Sequence, residues 1–219
     1  MLATGHKHVL WDWNGTLLDD LDLCLDVINR ILVRHALPQL DRERYHEIFD
    51  FPVRCFYERL GFTLDDGAFE RLSHEFISTY DSRRLEATLF DDVKDVLRAI
   101  SATGCEQSIL SAHRQTTLHE IVRHFDLYDH FTHIAGLDDI HAHSKIERGR
   151  TLVATLDVPP AQVLMIGDTL HDIEVATALG VDCIVVAAGH HPESRLRPHA
   201  PVLLPSISAL RDHFALALT

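Results

Sequence analysis

The sequence predicts an α/β fold, a parallel sheet covered by helices, with an all-helical block inserted near its start. Two observations carry this prediction. Over the second half of the chain, short runs of bulky apolar residues alternate with stretches of helical periodicity, which is typical of parallel β-α-β units. One further apolar run, at residues 8–12, precedes a stretch at 20–88 that holds helical patterns and no convincing strand. The helical stretch therefore interrupts an α/β domain.

The first predicted strand, residues 8–12, is apolar and leads into Asp, Asn and Gly, which are turn residues. The insertion begins with a helix predicted over 21–37, where apolar residues recur at helical spacing. Asp19 and Asp20 are placed to cap this helix, and Pro38 ends it. Further helices are predicted near 41–49, 53–60 and 66–84.

The alternation of helices and strands resumes after the insertion. Helices are predicted over 92–102, 115–124, 145–156, 173–179 and 206–216. Strands are predicted over 106–110, 130–135, 163–166, 181–186 and 201–204. This order predicts a core domain made of residues 1–18 and 89–219, and a helical cap domain made of residues 19–88.

Composition restricts the class of protein. The 219 residues carry 20 Lys and Arg against 33 Asp and Glu, a net charge of −13 that disfavours nucleic acid as a partner. No apolar run reaches the roughly 18 residues of a membrane span. Neither a secretory signal nor a membrane partner is therefore expected. The four cysteines are scattered without a CxxC pair, which favours a reducing cytoplasm.

Polar residues cluster where the predicted strands end. Because ligands of an open parallel sheet bind outside the carboxyl ends of its strands, these residues predict the site. Several carboxylates brought together at one edge repel each other unless a cation lies between them, and hard oxygen ligands favour Mg²⁺. The residues at this edge are Asp12, Asn14, Gly15, Thr16, Ser111, Ala112, His113, Asp168 and Asp172, with Lys145 opening the helix before the last of these strands.

Four motifs in register identify a family resemblance. An apolar strand leads into Asp12-Trp13-Asn14-Gly15-Thr16, a second strand ends at Ser111, Lys145 stands alone, and Gly167-Asp168 is followed by Asp172. The sequence thus resembles a haloacid dehalogenase superfamily hydrolase, in the branch whose helical cap follows the first motif. It is most similar to phosphoglycolate-phosphatase-like proteins, which implies a Rossmann-like core and a phosphatase activity.

The resemblance also implies a role for each residue of the motifs. Asp12 would be the nucleophile that forms an aspartyl phosphate, and Lys145 would supply the compensating cation. Ser111 would donate a hydrogen bond to the phosphoryl group. Mg²⁺ would be held by Asp12, the backbone carbonyl of Asn14, Asp168 and, directly or through water, Asp172. The substrate would be bound by Trp13, Gly15, Thr16, Ala112 and His113, with Arg54 of the cap gripping a carboxylate at the non-reacting end.

Asn14 departs from the family pattern. The phosphatases carry an Asp there that protonates the leaving alcohol and later activates water, whereas an amide cannot shuttle a proton. The leading hypothesis is a Mg²⁺-dependent phosphatase acting on a small phosphomonoester, with 2-phosphoglycolate as one candidate. The alternative is a catalytically weakened member that binds phosphorylated ligands or a partner protein. Neither the substrate nor the choice between monomer and homodimer can be read from the sequence.

Seventeen histidines leave several options open. His113 and His171 lie near the motif residues and are alternatives for carrying the proton that Asn14 cannot carry. His141 and His143 precede Lys145 at a spacing that can chelate a metal. A solvated surface residue is the simpler interpretation of each of these histidines.

Overall fold

The computed structural model describes residue 2, residues 4–137 and residues 145–215. It divides into two compact units, Met1–Asp19 with Thr88–Thr219, and Asp20–Ala87. The fold class predicted from the sequence, a parallel Rossmann-like sheet interrupted by helices, is confirmed. The predicted chelating pair, His141 and His143, lies outside the described residues.

The first unit is built on six parallel strands in the order β5-β4-β1-β6-β7-β8. Three of them, β1, β4 and β6, are adjacent in the centre of the sheet, so their carboxyl ends meet. The strands are β1 (His8–Trp11), β4 (Glu106–Arg114), β5 (His133–Leu137), β6 (Val163–Gly167), β7 (Asp182–Val186) and β8 (Leu203–Leu204).

Helices flank this sheet. The helices of the first unit are α5 (Val93–Ala102), α6 (Gln115–His124), α7 (Lys145–Thr155), α8 (Leu170–Leu179), α9 (Glu193–Leu196) and α10 (Ala209–His213). α7 and α8 pack against each other and against the sheet. Apolar residues of these helices and of the central strands form one buried cluster that includes Leu10, Leu110, Met165, Leu152 and Val175. Burial of this apolar surface stabilises the unit and holds the central strands in place.

A short antiparallel ribbon joins residues that the sequence analysis assigned to no strand. Leu18–Asp19 (β2) pairs with Thr88–Leu89 (β3). Each partner is two residues long and the two are far apart in sequence. Periodicity therefore could not reveal the ribbon.

The second unit is helical, as predicted. It contains α1 (Leu21–Arg34), α2 (Arg42–Ile48), α3 (Val53–Arg59) and α4 (Asp66–Arg83). Asp20 occupies the N-cap position of α1, but the prediction that its carboxylate caps the helix is wrong. The Asp20 carboxylate is buried and accepts a hydrogen bond of 2.7 Å from the Tyr80 hydroxyl of α4. A buried acceptor needs a hydrogen-bond donor, and Tyr80 supplies one here.

Of the helices in the described part of the chain, none combines the length and the apolar character that crossing a membrane requires.

Candidate active site at the carboxyl edge of the sheet

Three buried carboxylates gather where β1 and β6 end. Asp12 follows β1, Asp168 follows β6, and Asp172 lies in the first turn of α8. One oxygen of each lies within 4.8 Å of the others. The sequence analysis predicted that these acids would meet, and they do.

Lys145 joins two of these acids. Its ammonium nitrogen Nζ lies 2.6 Å from Asp12 Oδ1 and 2.6 Å from Asp172 Oδ1. Lys145 opens α7 and its side chain is only 4% exposed, so both ion pairs are shielded from water. A lysine in such surroundings holds both carboxylates in position and supplies a positive charge beside them.

The Asp172 carboxylate also organises the start of α8. Its Oδ2 accepts hydrogen bonds from the Asp168 backbone N–H at 3.1 Å, the Thr169 N–H at 2.9 Å and the Thr169 hydroxyl at 2.7 Å. Asp172 thus forms a capping box with Thr169 at the helix N-terminus. Both of its oxygens are engaged, so Asp172 is suited to contact a metal through water.

The pKa values of the three acids are shifted because the carboxyl groups are buried close to one another and to Lys145. Burial raises the pKa of Asp12 to about 6, although Lys145 opposes the shift. Burial raises the pKa of Asp168 to about 8. Burial also acts on Asp172, but the Lys145 ammonium holds the pKa of that carboxyl below its usual value. Burial alone would lower the pKa of Lys145, and the two facing carboxylates raise it above its usual value.

The donor set fits a hard divalent cation. Within the described part of the chain these three buried carboxylates face one lysine, so two negative charges are left uncompensated when all three acids are ionised. Burial is the main cause of the raised pKa of Asp168, and the neighbouring charges of Asp172 and Asp12 raise it further. Oxygen ligands of this kind match Mg²⁺, which keeps several waters and needs few protein ligands.

The loop after β1 closes tightly around Asp168. Gly15 has a φ of +73°, and a Cβ atom at this position would overlap the Asp168 carboxylate and the His190 ring. Only glycine fits there. The Thr16 hydroxyl donates a hydrogen bond of 2.9 Å to Asp168 Oδ1. The structure therefore joins Thr16, predicted to bind substrate, to a candidate metal ligand.

The residues around Asn14 form a compact turn. The backbone N–H groups of Leu17 and Leu18 both donate to the Trp13 carbonyl, at 3.0 and 2.9 Å. Asn14 is half-buried and forms an isolated bridge with Leu18. The Trp13 side chain is fully buried, and its indole N–H finds no hydrogen-bond acceptor among the described residues.

The second predicted motif lies inside a strand and not after one. The sequence analysis ended this strand at Leu110, whereas β4 continues to Arg114. The register against β5 shifts between Leu110 and Arg114, so that Arg114 pairs with Leu137. This pairing, invisible to local periodicity, makes Ser111, Ala112 and His113 strand residues. Ser111 is buried, and its Oγ accepts the His113 backbone N–H at 3.0 Å.

The remaining predicted site residues have other neighbours. Ala112 is exposed. The His171 ring Nδ1 lies 3.1 Å from the Glu174 carboxylate, one turn along α8. In the helical unit, Arg54 donates a hydrogen bond of 2.7 Å to Asp66, and its guanidinium lies 4.5 Å from the centre of the Phe69 ring.

The sequence analysis missed the loop after β7. The His190 backbone N–H donates to Asp168 Oδ2 at 2.7 Å, and the His191 ring accepts from the Leu170 N–H at 3.1 Å. A Cβ atom on Gly189 would overlap Asp168 and the Gly15 carbonyl. Extending the carboxyl-end rule to the strand predicted at 181–186 would have pointed to this loop.

Comparison with known proteins identifies similar sequences and folds. Residues 9–186 match the family described as haloacid dehalogenase-like hydrolase. A 5′-nucleotidase from Pseudomonas aeruginosa is 30% identical over 214 residues, covering 96% of each chain. A phosphoglycolate phosphatase from Chromobacterium violaceum is 25% identical, covering 94% of this chain and 95% of its own. A haloacid dehalogenase-like family hydrolase from Streptococcus pneumoniae has the same fold, with a TM-score of 0.82 at 18% identity over 96% of this chain and 99% of its own.

Proposed function

The chain belongs to the haloacid dehalogenase-like hydrolase family and is a phosphoric monoester hydrolase, and we propose that it cleaves a small phosphomonoester with Mg²⁺ bound and Asp12 as the nucleophile. The observation that carries this proposal is the position of Lys145 Nζ, 2.6 Å from both Asp12 and Asp172. A buried ammonium at this distance holds Asp12 in one orientation and partly neutralises an arriving phosphate.

Three of the residues that would hold the cation, Asp12, Asp168 and Asp172, already converge. Asp12, the Asn14 carbonyl and Asp168 would bind it, with Asp172 contacting it through water because both Asp172 oxygens accept hydrogen bonds. When bound, Mg²⁺ supplies positive charge that neutralises the phosphoryl oxygens and the surrounding acids. Thr16 and the His190 backbone N–H would keep Asp168 in place.

The reaction has two steps on Asp12. In the first, a carboxylate oxygen of Asp12 attacks phosphorus, the bond to the leaving oxygen breaks, and an aspartyl phosphate forms. In the second, water attacks the same phosphorus, which releases inorganic phosphate and restores the carboxylate. Ser111 would donate to a phosphoryl oxygen during both steps, while Lys145 balances the charge.

Asn14 supports a second candidate, a member of the family with weakened turnover that serves to bind phosphorylated ligands. An amide donates a hydrogen bond but cannot give or take a proton, and general acid–base help is worth about 10²–10⁴-fold in rate. The metal site would be unaffected, because residue 14 would contribute only its backbone carbonyl. Substrates whose leaving oxygen needs protonation would then be slow.

The substrate class is a small phosphorylated metabolite. The names of the similar proteins make 2-phosphoglycolate and nucleoside 5′-monophosphates the first compounds to test. The net charge of −13 disfavours nucleic acid polymers, because an acidic surface repels a phosphate backbone.

The test is hydrolysis of an aryl phosphate with and without Mg²⁺, run beside the thermal stability of the free protein. We expect turnover only with the metal, its loss in Asp12→Asn, and a rise in Tm on adding Mg²⁺ that is absent in Asp168→Asn. Asp91→Asn changes an exposed carboxylate and serves as the matched control. Equal Tm values with saturating Mg²⁺ and with chelator in the wild-type protein would contradict the metal site.

A further inference from the structure

The loop after β7 reaches the short turn that carries both Asp168 and Asp172. Its His190 backbone N–H donates to Asp168 Oδ2 at 2.7 Å. Its His191 ring Nδ1 accepts the Leu170 backbone N–H at 3.1 Å. The His191 side chain is fully buried, so this contact lies away from solvent.

The contact completes the hydrogen bonding of the turn. The N–H groups at the start of a helix have no acceptor within the helix. Asp172 Oδ2 accepts the N–H of Thr169, the N-cap residue of α8, and the N–H of Asp168 just before it. His191 accepts the next one, from Leu170, the first residue of α8. Side-chain acceptors therefore hold three successive N–H groups, each of which would be costly to leave unsatisfied.

Because one turn positions two acids, its rigidity affects both of them. If the Leu170 N–H lost its acceptor, it would compete for the Asp172 carboxylate, which already accepts the N–H of the preceding residue, Thr169. Competition for Asp172 would disturb its bonds to Thr169 and to Lys145. The Asp168 and Asp172 oxygens would then leave the arrangement that places them within 4.8 Å of Asp12.

We propose that His191 is a positioning residue for the metal site: by accepting the Leu170 N–H, its Nδ1 fixes the Asp168–Asp172 turn in the geometry that binds a divalent cation. This inference rests on the proposed function. In this role His191 contacts neither the metal nor the substrate. It acts through the backbone of α8, and its effect is on metal affinity.

A matched pair of amide variants separates this role from packing. In His191→Asn the side-chain oxygen can occupy the place of ring Nδ1, whereas in His191→Gln it reaches the place of Nε2. Both residues are polar and uncharged, so the pair differs mainly in whether Leu170 N–H keeps an acceptor. The measurement is the Mg²⁺ Kd of the free protein, obtained by calorimetric titration without substrate, together with Tm in chelator.

We expect His191→Gln to raise the Mg²⁺ Kd by about 10–100-fold, the range for residues that orient metal ligands, and His191→Asn to stay near wild type. At saturating Mg²⁺ the kcat of His191→Gln should recover. A His191→Gln variant that is unfolded in chelator is still informative, because the Mg²⁺ concentration that restores its circular dichroism reports the affinity.

Two outcomes would count against this role, and they are distinguishable. If His191→Gln lowers Tm but leaves the Mg²⁺ Kd unchanged, His191 only packs and caps α8. An equal rise of the Mg²⁺ Kd in both variants would show that the hydrogen bond from the Leu170 N–H to Nδ1 does not determine the metal affinity. Failure of the wild-type protein to bind Mg²⁺ would overturn the proposed function first, and the inference with it.

Discussion

The Thr16 hydroxyl donates a hydrogen bond of 2.9 Å to Asp168 Oδ1, and both side chains are fully buried. This contact joins the loop after β1, which carries the proposed nucleophile Asp12, to the loop after β6, which carries the candidate metal ligand Asp168. The two loops are 152 residues apart in sequence. One hydroxyl thus couples the loop of the proposed nucleophile to the loop of the candidate metal ligand.

Removing that hydroxyl should weaken metal binding. Thr16→Val keeps the shape of the side chain but leaves Asp168 Oδ1 without its donor, so we expect the Mg²⁺ Kd to rise about 10–100-fold. Thr16→Ser keeps the donor and should bind Mg²⁺ much as the wild type does. Calorimetric titration of the three proteins is the measurement. A Thr16→Val protein that binds Mg²⁺ as tightly as the wild type would show that the hydrogen bond to Asp168 does not support the metal site.

Lys145→Met should destabilise the protein and abolish turnover. The substitution leaves Asp12 and Asp172 buried without their shared cation, and breaking a buried pair in this way costs about 3–5 kcal/mol. Chemical denaturation in chelator measures the loss. The exposed Lys94→Met is the control and should change the free energy of unfolding by about 0.5 kcal/mol or less. If both variants unfold alike, Lys145 does not stabilise the carboxylates.

Because Asn14 cannot carry a proton, we expect the hydrolysis rate to depend on the leaving group of the substrate. An alkyl phosphate needs its departing oxygen protonated, whereas an aryl phosphate leaves more readily. Asn14→Asp should therefore speed alkyl phosphate hydrolysis by up to about 10²–10⁴-fold and aryl phosphate hydrolysis by less. Single-turnover and steady-state rates on both substrates are the measurement.

Mass spectrometry of the peptide containing Asn14 must accompany that assay, because an Asn14-Gly15 dipeptide is prone to deamidation, which would create an aspartate in an aged sample. If intact Asn14 protein hydrolyses both substrates at similar rates, and Asn14→Asp changes neither, another group carries the proton. His113 and His171 would be the next residues to replace.

Stability should fall in mild acid because of His8. Burial lowers the pKa of His8 to about 4, and nearby His133 adds to the shift. Between about 4 and the ordinary value of 6.5, the unfolded chain binds a proton that the folded His8 does not. The free energy of unfolding therefore decreases as the pH falls through this window, by up to about 1.4 kcal/mol per pH unit from this group.

His8→Gln should flatten this dependence. Glutamine has no titration in the window and retains a polar group for the Ser108 hydroxyl, which lies 2.9 Å from His8 Nε2. The measurement is urea denaturation of both proteins at several pH values from 4.5 to 7, with the other histidines serving as an internal background. Parallel curves for the two proteins would exclude His8 as a source of the acid sensitivity.

The sequence predicts that Arg54 binds a carboxylate on the substrate, and this stays a prediction. Arg54→Ala should raise KM more for a carboxylate-bearing substrate such as 2-phosphoglycolate than for a bare aryl phosphate. The matched control is Arg44→Ala, which removes an exposed arginine of the same helical unit. Equal changes in KM for both substrates would mean that Arg54 matters only through its contacts with Asp66 and Phe69.

The sequence by itself determined the parallel α/β core, the helical insertion and the meeting of Asp12, Asp168, Asp172 and Lys145. Two physical facts make this possible. Apolar periodicity reports which segments are strands or helices, and the carboxyl ends of parallel strands share one edge of the sheet. Motif residues at the ends of neighbouring strands are therefore close in space, whatever the path of the loops between them.

Only the tertiary structure decided which atoms pair at that edge. The extension of β4 to Arg114 depends on its pairing with β5, and the β2–β3 ribbon depends on two segments far apart in sequence. The hydrogen bonds that His190 and His191 make depend on the path of one loop. Such contacts join groups that are far apart in sequence and meet only in the folded protein. No local pattern in the chain therefore encodes them.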